Sequence, residues 1–421
     1  MEKTKEQIER DEQIYQLTTL VAGKFSPQEV LDKLAEAAVR IIGVKACSIR
    51  LLDTESGDLK MRSTYGLSEE YRNKGVVSKN DPVIKAAFQG EAIIIDDMRD
   101  DDRIKYKEAT IKEGLVSQLT VAMQFQGRAV GVIRLYSPEP KRFDKNDIRL
   151  ARAVASQCAV AITNAKLYSR AIEGARMTEQ MRLAGLIQRK MIPENAPRIP
   201  GLDIAGTYIP CFDVGGDFYD FQKIGRYRIA VSIADVMGKG MPAALMMSCF
   251  RSAVRAYSNF EGDGINILGF INKLNKMMCL ECMNGEFITF FYAVIDAREK
   301  TIVYCNCGHE PAVLIRRDYV IDLKKGGMVL GVDPDAEYEI DAFSLETGDC
   351  LLFYTDGLID AANFDGDLWG KTNLLKAAKY FNSMPAEPMS RNILSYRRRF
   401  VGLADQVDDT SFVIVKVVDV Q

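Results

Sequence analysis

Aspartates, usually with a glycine nearby, recur at four places in the second half of the 421-residue chain. These places are Asp217, which follows two glycines; Asp235, which precedes Gly-Lys-Gly; Asp356, which precedes a glycine; and the pair Asp408 and Asp409. Each place adjoins an apolar, strand-like run, so we expect the carboxylates to meet at one end of a folded domain. Clustered carboxylates repel one another, and a hard divalent cation with oxygen ligands, Mg²⁺ or Mn²⁺, relieves that repulsion.

A structural interpretation competes at each place, because Asp before Gly is common in ordinary turns. One such aspartate is weak evidence, whereas four at strand ends within 200 residues favour a metal site. We expect four other aspartates to be turn or surface residues: Asp220, Asp296, Asp333 and Asp349.

Histidine and cysteine offer no comparable chemistry. The single histidine, His309, excludes a multi-histidine metal site and limits a Ser-His-Asp triad to one place. Nine cysteines in apolar segments are typical of reduced, buried thiols. Hydrolytic chemistry in this chain would therefore depend on carboxylates.

The composition is that of an ordinary globular protein, with 47% hydrophobic and 27% charged residues and a net charge of −3. Without a basic excess, nucleic-acid binding has no electrostatic support. No apolar run approaches the ~18 residues of a membrane span, and the charged residues 1–13 do not resemble a signal peptide. We therefore expect two or three domains in a cytoplasmic protein, with neither nucleic acid nor a membrane as partner.

Helix and strand patterns alternate along residues 1–147. Helices are predicted over 4–22 and 27–42, the second beginning at Ser26 as N-cap, and shorter ones near 81–89 and 102–113. Strands are predicted at Ala46–Leu52, Leu59–Tyr65, Ala92–Ile95, Gln118–Phe125 and Ala129–Leu135. The pattern indicates an α+β domain with an antiparallel sheet.

A proline-free stretch from Lys145 to Met191 predicts one long helix. Positions 150, 154, 157, 161, 164, 168, 171 and 175 alternate steps of four and three, and a second register continues at Met177, Met181, Ala184, Gln188 and Met191. Such a seam is typical of a coiled coil, so we expect residues 148–192 to link the domains and to pair two chains as a homodimer. A helix packed on its own domain is the alternative, because the register slips near Ala175 and small residues weaken the seam.

The periodicity changes to two beyond the prolines at 193, 197 and 200. Strands are predicted at Leu202–Tyr208, Phe218–Lys223, Tyr227–Ala234, Phe287–Asp296, Ile302–Asn306, Pro311–Ile315, Cys350–Tyr354 and Phe412–Val418. Helices are predicted in pairs, at 241–258 with 264–282 and at 371–381 with 386–401. Residues 193–421 are therefore expected to form two packed sheets covered by helices.

The aspartate segments resemble those of the metal-dependent PPM protein phosphatases, and more closely those of their bacterial SpoIIE/RsbU branch. The resemblance rests on Asp217, on DVMGKGMPAA at 235–244, on CGHEP at 307–311, on LFYTDGLID at 352–360 and on the pair at 408–409, which follow the family's order.

Residues 1–147 are similar to a GAF sensory domain, chiefly through their pattern and the exit helix at 143–166. The two resemblances imply an α+β chain of three parts: a GAF-like domain at 1–147, a coiled-coil linker at 148–192, and an α-β-β-α sandwich of PPM type at 193–421.

The resemblance implies a mechanism as well. Two Mn²⁺ or Mg²⁺ ions, bridged by Asp217 and a water, would activate that water to attack a phosphoserine or phosphothreonine in line. Asp235 and Asp356 would hold the ions together with the backbone carbonyl of Val236. Asp408 would complete the shell of one ion, and Asp409, which stands where the family often has asparagine, is the second choice for that place.

One departure concerns the general acid. Many eukaryotic-type members carry a histidine just after the second metal aspartate, and this chain has Met237 there. A metal-bound water could protonate the leaving oxygen instead. For His309, in a Gly-His-x-Pro turn, we favour a hydrogen-bonded structural role over a role in lining the site or as general acid.

The branch implies a substrate of a particular kind, a phosphorylated STAS-domain anti-sigma-factor antagonist, with activity set by the GAF-like domain through the linker helix. A phosphatase-like scaffold that binds the same partner without turnover is a second hypothesis, against which the retention of all four aspartate sites argues. A third is a sensor whose main function is its GAF pocket. No cyclic-nucleotide signature identifies a ligand, which is left open as a small molecule or a protein.

Overall fold

The computed structural model describes residues 26–53, 56–258, 266–283 and 285–419. The helix predicted over 4–22 lies outside these residues. The chain divides into two compact units, Met1–Arg176 and Met177–Gln421. Within the described residues, every helix is too short or too polar to cross a membrane.

The first unit combines an antiparallel sheet with short helices. Its strands are β1 (Ala46–Leu52), β2 (Asp58–Tyr65), β3 (Val77–Ser78), β4 (Ile93–Ile95), β5 (Ser117–Phe125) and β6 (Arg128–Ser137). Its short helices are α1 (Pro27–Ile42), α2 (Glu69–Arg72), α3 (Pro82–Phe88) and α4 (Lys107–Lys112). The strand order is β3-β2-β1-β6-β5-β4, with antiparallel pairing throughout.

Local hydrogen bonds explain where helices begin in this unit. Ser26 and Glu29 form a capping box at the start of α1, as the N-cap prediction requires. The helix predicted over 102–113 is shorter than expected, because α4 begins only at Lys107. Just before it, the Asp101 carboxylate accepts from the backbone and the guanidinium of Arg103, a local bond that competes with helix formation.

The two faces of the first sheet differ in chemistry. Cys47, Ile49 and Leu51 of β1 point to an apolar face. This face packs against α1 and against the beginning of the long helix that follows β6. The alternate residues Ser48 and Arg50 point the other way and are also buried. One side of the sheet therefore forms a hydrophobic core, whereas the other carries buried polar groups.

A single helix of 45 residues, α5 (Lys145–Arg189), follows the first unit, and the division between the units falls within it. Val154, Cys158 and Ala161 near its beginning belong to the first unit's core. This part of the predicted seam is therefore packed on its own domain, as the alternative interpretation had it. From Asn164 to Gln180 nearly all side chains are exposed.

The second unit is a sandwich of two sheets. The strands of its larger sheet are β8 (Phe218–Ile224), β9 (Arg228–Val236), β10 (Ile288–Asp296), β11 (Thr301–Cys307), β14 (Gly326–Gly327) and β15 (Asp341–Ser344). The strands of its smaller sheet are β7 (Leu202–Ile209), β12 (Ala312–Arg316), β13 (Tyr319–Leu323), β16 (Cys350–Tyr354) and β17 (Thr410–Val417). The sequence patterns missed β13, β14 and β15, which are short strands.

Helices cover both outer faces of this sandwich. They are α6 (Met241–Tyr257), α7 (Ile267–Glu281), the single-turn α8 (Asp356–Ile359), α9 (Gly370–Tyr380) and α10 (Ala386–Val401). Phe250 of α6 packs on the larger sheet, and Ile393 of α10 packs on the smaller one. Between the sheets, the rings of Phe291 and Phe353 meet with centroids 5.5 Å apart. The predicted two-sheet, helix-covered architecture is confirmed.

Candidate active site

The strands of the sandwich bring the predicted aspartates to one end of the second unit. Asp217 directly precedes β8, Asp235 is the last but one residue of β9, and Asp356 begins α8 just after β16. Asp408 and Asp409 directly precede β17. All five interact electrostatically with at least one other member of the set.

Burial and mutual repulsion disturb the ionisation of these carboxyls. Burial, followed by the charges of Asp235 and Asp409, raises the pKa of Asp217 well above its usual range. Burial, followed by the charges of Asp356 and Asp408, raises the pKa of Asp235 to about 7. The pKa of Asp356 is also raised, by burial first and Asp408 second. The site therefore holds more negative charge than its surroundings can stabilise.

Asp217 is held in place by a buried hydroxyl. The Thr355 hydroxyl donates to Oδ2 of Asp217 at 2.7 Å and accepts from the backbone N–H of Ser411 at 3.0 Å. Thr355 thus links β16, β17 and the residue before β8 with one side chain. The sequence pattern identified Thr355 only as the residue before Asp356 and did not predict its hydrogen bond to Asp217.

Asp409 anchors the loop that carries Asp217. Its carboxylate accepts from the backbone N–H groups of Cys211 and Gly216, both at 2.7 Å, and of Asp217 at 3.4 Å. A side chain at Gly215 would collide with this carboxylate, which explains the glycine. With its oxygens occupied by backbone donors, Asp409 fits a positioning role better than a ligand role.

Asp408 points to a different environment. It forms an ion pair with Lys239, N–O 2.9 Å, and Lys239 also donates to the Val407 carbonyl. Lys239 belongs to the Gly-Lys-Gly segment after Asp235, so its ammonium partly offsets the charge of the cluster. Oδ1 of Asp408 accepts from the backbone N–H of Asp409 at 2.9 Å, so both neighbouring aspartates already have polar partners.

The donor chemistry fits a hard divalent cation. The cluster offers carboxylate oxygens with no histidine or thiolate among them, and their raised pKa values reflect a charge that a cation would neutralise. The carbonyl of Val236 lies beside the same loop, since a Cβ at Gly216 would come within 2.8 Å of it. In the parts of the chain that the structure describes, no three acidic, histidine or cysteine side chains already stand in metal-binding geometry.

The last turn of α5 is clamped to the same loop. The Gln188 side chain, 5% exposed, donates to the Gly215 carbonyl at 2.8 Å and accepts from the Gly215 N–H at 3.0 Å. One turn earlier, Gly185 lies so close to the backbone of Asp213 that a Cβ would collide with it. Sequence reasoning placed Gln188 in the seam of the linker and missed this contact.

His309 is buried next to the backbone of Asp235 and is not exposed in the site as a general acid would be. Its Nδ1 shares a hydrogen bond of 2.8 Å with the Thr289 hydroxyl, which also donates to the Asp235 carbonyl. Burial lowers the pKa of His309 to about 4, and its Nε2 is buried without a partner. These contacts favour the structural role.

Asp296 and Asp333 lie at turns, where each accepts from backbone N–H groups, as expected. The expectation is wrong for Asp220, which stands inside β8, whereas Asp349 closes a turn by donating its N–H to the carbonyl of Glu346.

Asp220 and Asp349 are both buried, Asp220 against Arg255 and Arg251, and Asp349 against Arg316. Paired arginines stabilise these charges, so neither aspartate joins the cluster.

Two family models match this chain. Residues 26–163 match the GAF domain, and residues 225–418 match Stage II sporulation protein E (SpoIIE). The chain thus carries a match to the GAF domain and a match to SpoIIE, and the second unit, Met177–Gln421, is called the SpoIIE-family domain after the latter match. The SpoIIE match includes Asp235, Asp356, Asp408 and Asp409, and it begins after Asp217.

Curated relatives extend the similarity. Over 216 residues the chain is 30% identical to Phosphoserine phosphatase RsbU of Bacillus subtilis, covering 51% of this chain and 63% of RsbU. It is 24% identical to Phosphoserine phosphatase RsbP of the same organism over 244 residues, which cover 56% of this chain and 58% of RsbP. The chain thus spans less than two thirds of either relative.

A solved structure supports the fold. The SiaA-PP2C domain of Pseudomonas aeruginosa superposes with a TM-score of 0.51 at 20% identity, covering 58% of this chain and 98% of that domain. The SpoIIE-family domain therefore has the PP2C-type (PPM) sandwich that its sequence predicted.

Proposed function

We propose that this chain is a metal-dependent protein serine/threonine phosphatase that hydrolyses phosphoserine or phosphothreonine on a partner protein. The observation that carries the proposal is the group of buried, mutually repelling aspartates at one end of a PP2C-type sandwich. The names of RsbU and RsbP, both phosphoserine phosphatases, support the same reaction class.

Asp217, Asp235, Asp356 and Asp408 would hold two Mn²⁺ or Mg²⁺ ions, with the Val236 carbonyl as a further oxygen donor. When bound, the ions supply an activated water and a Lewis acid for the phosphoryl group. Thr355 fixes the orientation of Asp217, and Asp409 fixes the loop on which Asp217 lies.

The decisive experiment measures phosphate release from a phosphoserine protein by the purified full chain. Turnover should require added Mn²⁺ or Mg²⁺, stop in chelator, and be lost in Asp235→Asn and Asp356→Asn. Asp365→Asn, in an exposed turn, is the matched control and should behave like wild type. Undiminished turnover in chelator would overturn the metal-dependent mechanism.

The partner we propose is a phosphorylated STAS-domain anti-sigma-factor antagonist, as the resemblance to the SpoIIE/RsbU branch implies. A panel of phosphorylated STAS proteins and unrelated phosphoserine proteins tests this choice. Faster turnover of one STAS protein supports it, and equal turnover across the panel contradicts it. Binding of that protein without turnover would instead support an inactive phosphatase-fold regulator.

Regulation by the GAF domain would act through α5. Its beginning packs into the core of the first unit, and Gln188 in its last turn binds the loop that carries Asp217. A helix without a flexible Gly/Ser segment can transmit a rotation or a shift in register. We therefore propose that the state of the GAF domain changes the position of this loop and thus the activity.

The exposed middle of α5 is the surface we propose for homodimer formation. Leu167, Tyr168, Ile172 and Met177 are each more than half exposed there, which is unusual for large apolar side chains on a helix. A second copy of the same helix would cover them as a coiled coil. Light scattering should give a dimer for the full chain and a monomer for a Leu167→Lys, Ile172→Lys double variant. The control variant Glu173→Lys should stay dimeric. A monomeric wild type at micromolar concentration would contradict the proposal.

A further inference from the structure

The polar face of the GAF-domain sheet collects buried positive charge. Arg50 on β1 and Arg134 on β6 are 2% and 7% exposed. Strand register places both on the side that faces away from α1, since Ser48 lies opposite Arg134 and Arg50 lies opposite Val132. The Lys74 ammonium lies over the ring of Tyr71, 3.2 Å from its centroid, next to these guanidiniums.

These cations lack the partners that buried charges require. Nε and Nη2 of Arg50 and Nε of Arg134 are buried without a hydrogen bond, and Arg50 donates only from Nη1, to the Leu59 carbonyl at 3.2 Å. No ion pair to Arg50, Arg134 or Lys74 occurs among the residues that the structure describes. An uncompensated buried charge costs several kcal/mol.

The electrostatic effect is visible on Lys74. Burial, followed by the charges of Arg134 and Arg50, lowers the pKa of Lys74 to about 6, with Glu113 opposing that change. Burial lowers the pKa of Arg50 as well. An anion between these groups would stabilise their charged forms.

A small cavity is lined by two of these cations, Lys74 and Arg134. It has a volume of about 30 Å³ and is also lined by Gln118, Thr110 and Tyr106, among others. Its one acidic lining residue, Asp81, caps α3 by accepting from the N–H groups of Val83 and Ile84. Because a single water needs roughly 10–15 Å³ of such volume, the cavity has room for a small oxygen-rich group.

Two further cations line the cavity and have other contacts. Arg103 forms an ion pair with Asp101, and the Lys105 ammonium lies 5.3 Å from the centroid of the Tyr106 ring. Arg134 and Lys74 are therefore the lining charges that an incoming anion would pair with.

We propose that the GAF domain binds an oxyanion, the phosphate or carboxylate group of a small ligand, in the cavity lined by Arg134 and Lys74, with Arg50 on the neighbouring strand as a further positive charge. Guanidinium groups suit this role because their planar donors match such oxygens in pairs. The inference concerns the first unit alone and does not depend on the proposed phosphatase activity.

Hydrogen exchange followed by mass spectrometry tests the proposal on the full chain, because peptides from β5, β6 and residues 68–81 report this domain separately. With EDTA present throughout, the exchange rates of the chain are compared in sodium chloride, sodium phosphate and sodium acetate at equal ionic strength. At a concentration ten times the dissociation constant, phosphate or acetate should slow the local opening about tenfold. Exchange in wild type that is the same in all three salts would overturn the proposal.

Variants separate binding from a structural role. Arg134→Met should abolish the effect of the oxyanion without speeding exchange in chloride, because it removes an unpaired buried charge. Arg128→Met, at an exposed position on the same strand, should keep the full effect. If Arg134→Met fails to fold, Lys74→Met decides the question, since it should weaken the effect severalfold. An oxyanion effect that persists unchanged in the folded variant contradicts the assignment.

Discussion

The clamp between Gln188 and Gly215 gives a prediction whose size follows from the structure. Gln188→Leu keeps the volume of the side chain but removes both hydrogen bonds to Gly215. The N–H and carbonyl of Gly215 are buried, and each buried group left unpaired costs about 1–3 kcal/mol. We therefore expect a loss of about 3 kcal/mol in the free energy of unfolding of the SpoIIE-family domain.

Fluorescence can follow this domain alone, because the only tryptophan of the chain, Trp369, is buried within it. Urea titrations of the full chain should show a lower midpoint for Gln188→Leu. Gln180→Leu, exposed on the same helix, should stay within about 0.5 kcal/mol of wild type. The displaced loop should also lower phosphate release at a fixed Mn²⁺ concentration.

Equal urea midpoints for Gln188→Leu, Gln180→Leu and wild type would refute the clamp. A lower midpoint with unchanged phosphate release would keep the clamp and refute its link to the position of Asp217.

Three more outcomes are expected. Asp235→Asn should unfold at the same or a higher urea concentration than wild type in chelator at pH 8, because it removes a charge that repels Asp356 and Asp408; a clear loss of stability contradicts the repulsion. Thr355→Val removes the donor to Asp217 and the acceptor of the Ser411 N–H, so the same titration should show a loss of about 1–3 kcal/mol and the phosphate assay a lower rate. One residue inserted after Ala175 turns the following helix face by ~100° and should fix the phosphatase activity high or low, whereas seven inserted residues nearly restore the helical phase. If basal and stimulated activity are unchanged in both insertion variants, α5 only connects the domains and does not regulate activity.

The fold was predictable where local patterns are strong. Strands β1 and β16 have the predicted bounds, Ala46–Leu52 and Cys350–Tyr354, because apolar runs bounded by turn residues determine them. The aspartates could be found in the same way, since each adjoins such a run. Short elements such as β14 (Gly326–Gly327) have no periodicity of their own and exist only through pairing with β11.

The contacts that position the site were not predictable from local patterns. Asp409 looked like a second-choice ligand, whereas its oxygens bind backbone N–H groups nearly 200 residues earlier in the chain. Gln188 fitted the seam of a coiled coil, and only tertiary packing shows that it binds Gly215. Arg50 and Arg134 interrupt the apolar pattern of their strands, and sequence alone shows neither that they face the same side of the sheet nor that Arg134 lines a cavity.

The meeting of the first and last strands of the sandwich has a consequence for folding. Strand β7 pairs with β17 along its whole length, and Asp409 binds the N–H of Cys211 across 198 residues of sequence. Contacts of such long range form slowly, because the intervening chain loses conformational entropy before these contacts stabilise it. During synthesis, Gln188 can already bind Gly215 of the loop before β8, but the hydrogen bonds from Cys211 and Gly216 to Asp409 form only after the segment around Asp409 has left the ribosome. The aspartate cluster therefore forms only when β17 pairs with β7, late in the folding of this domain.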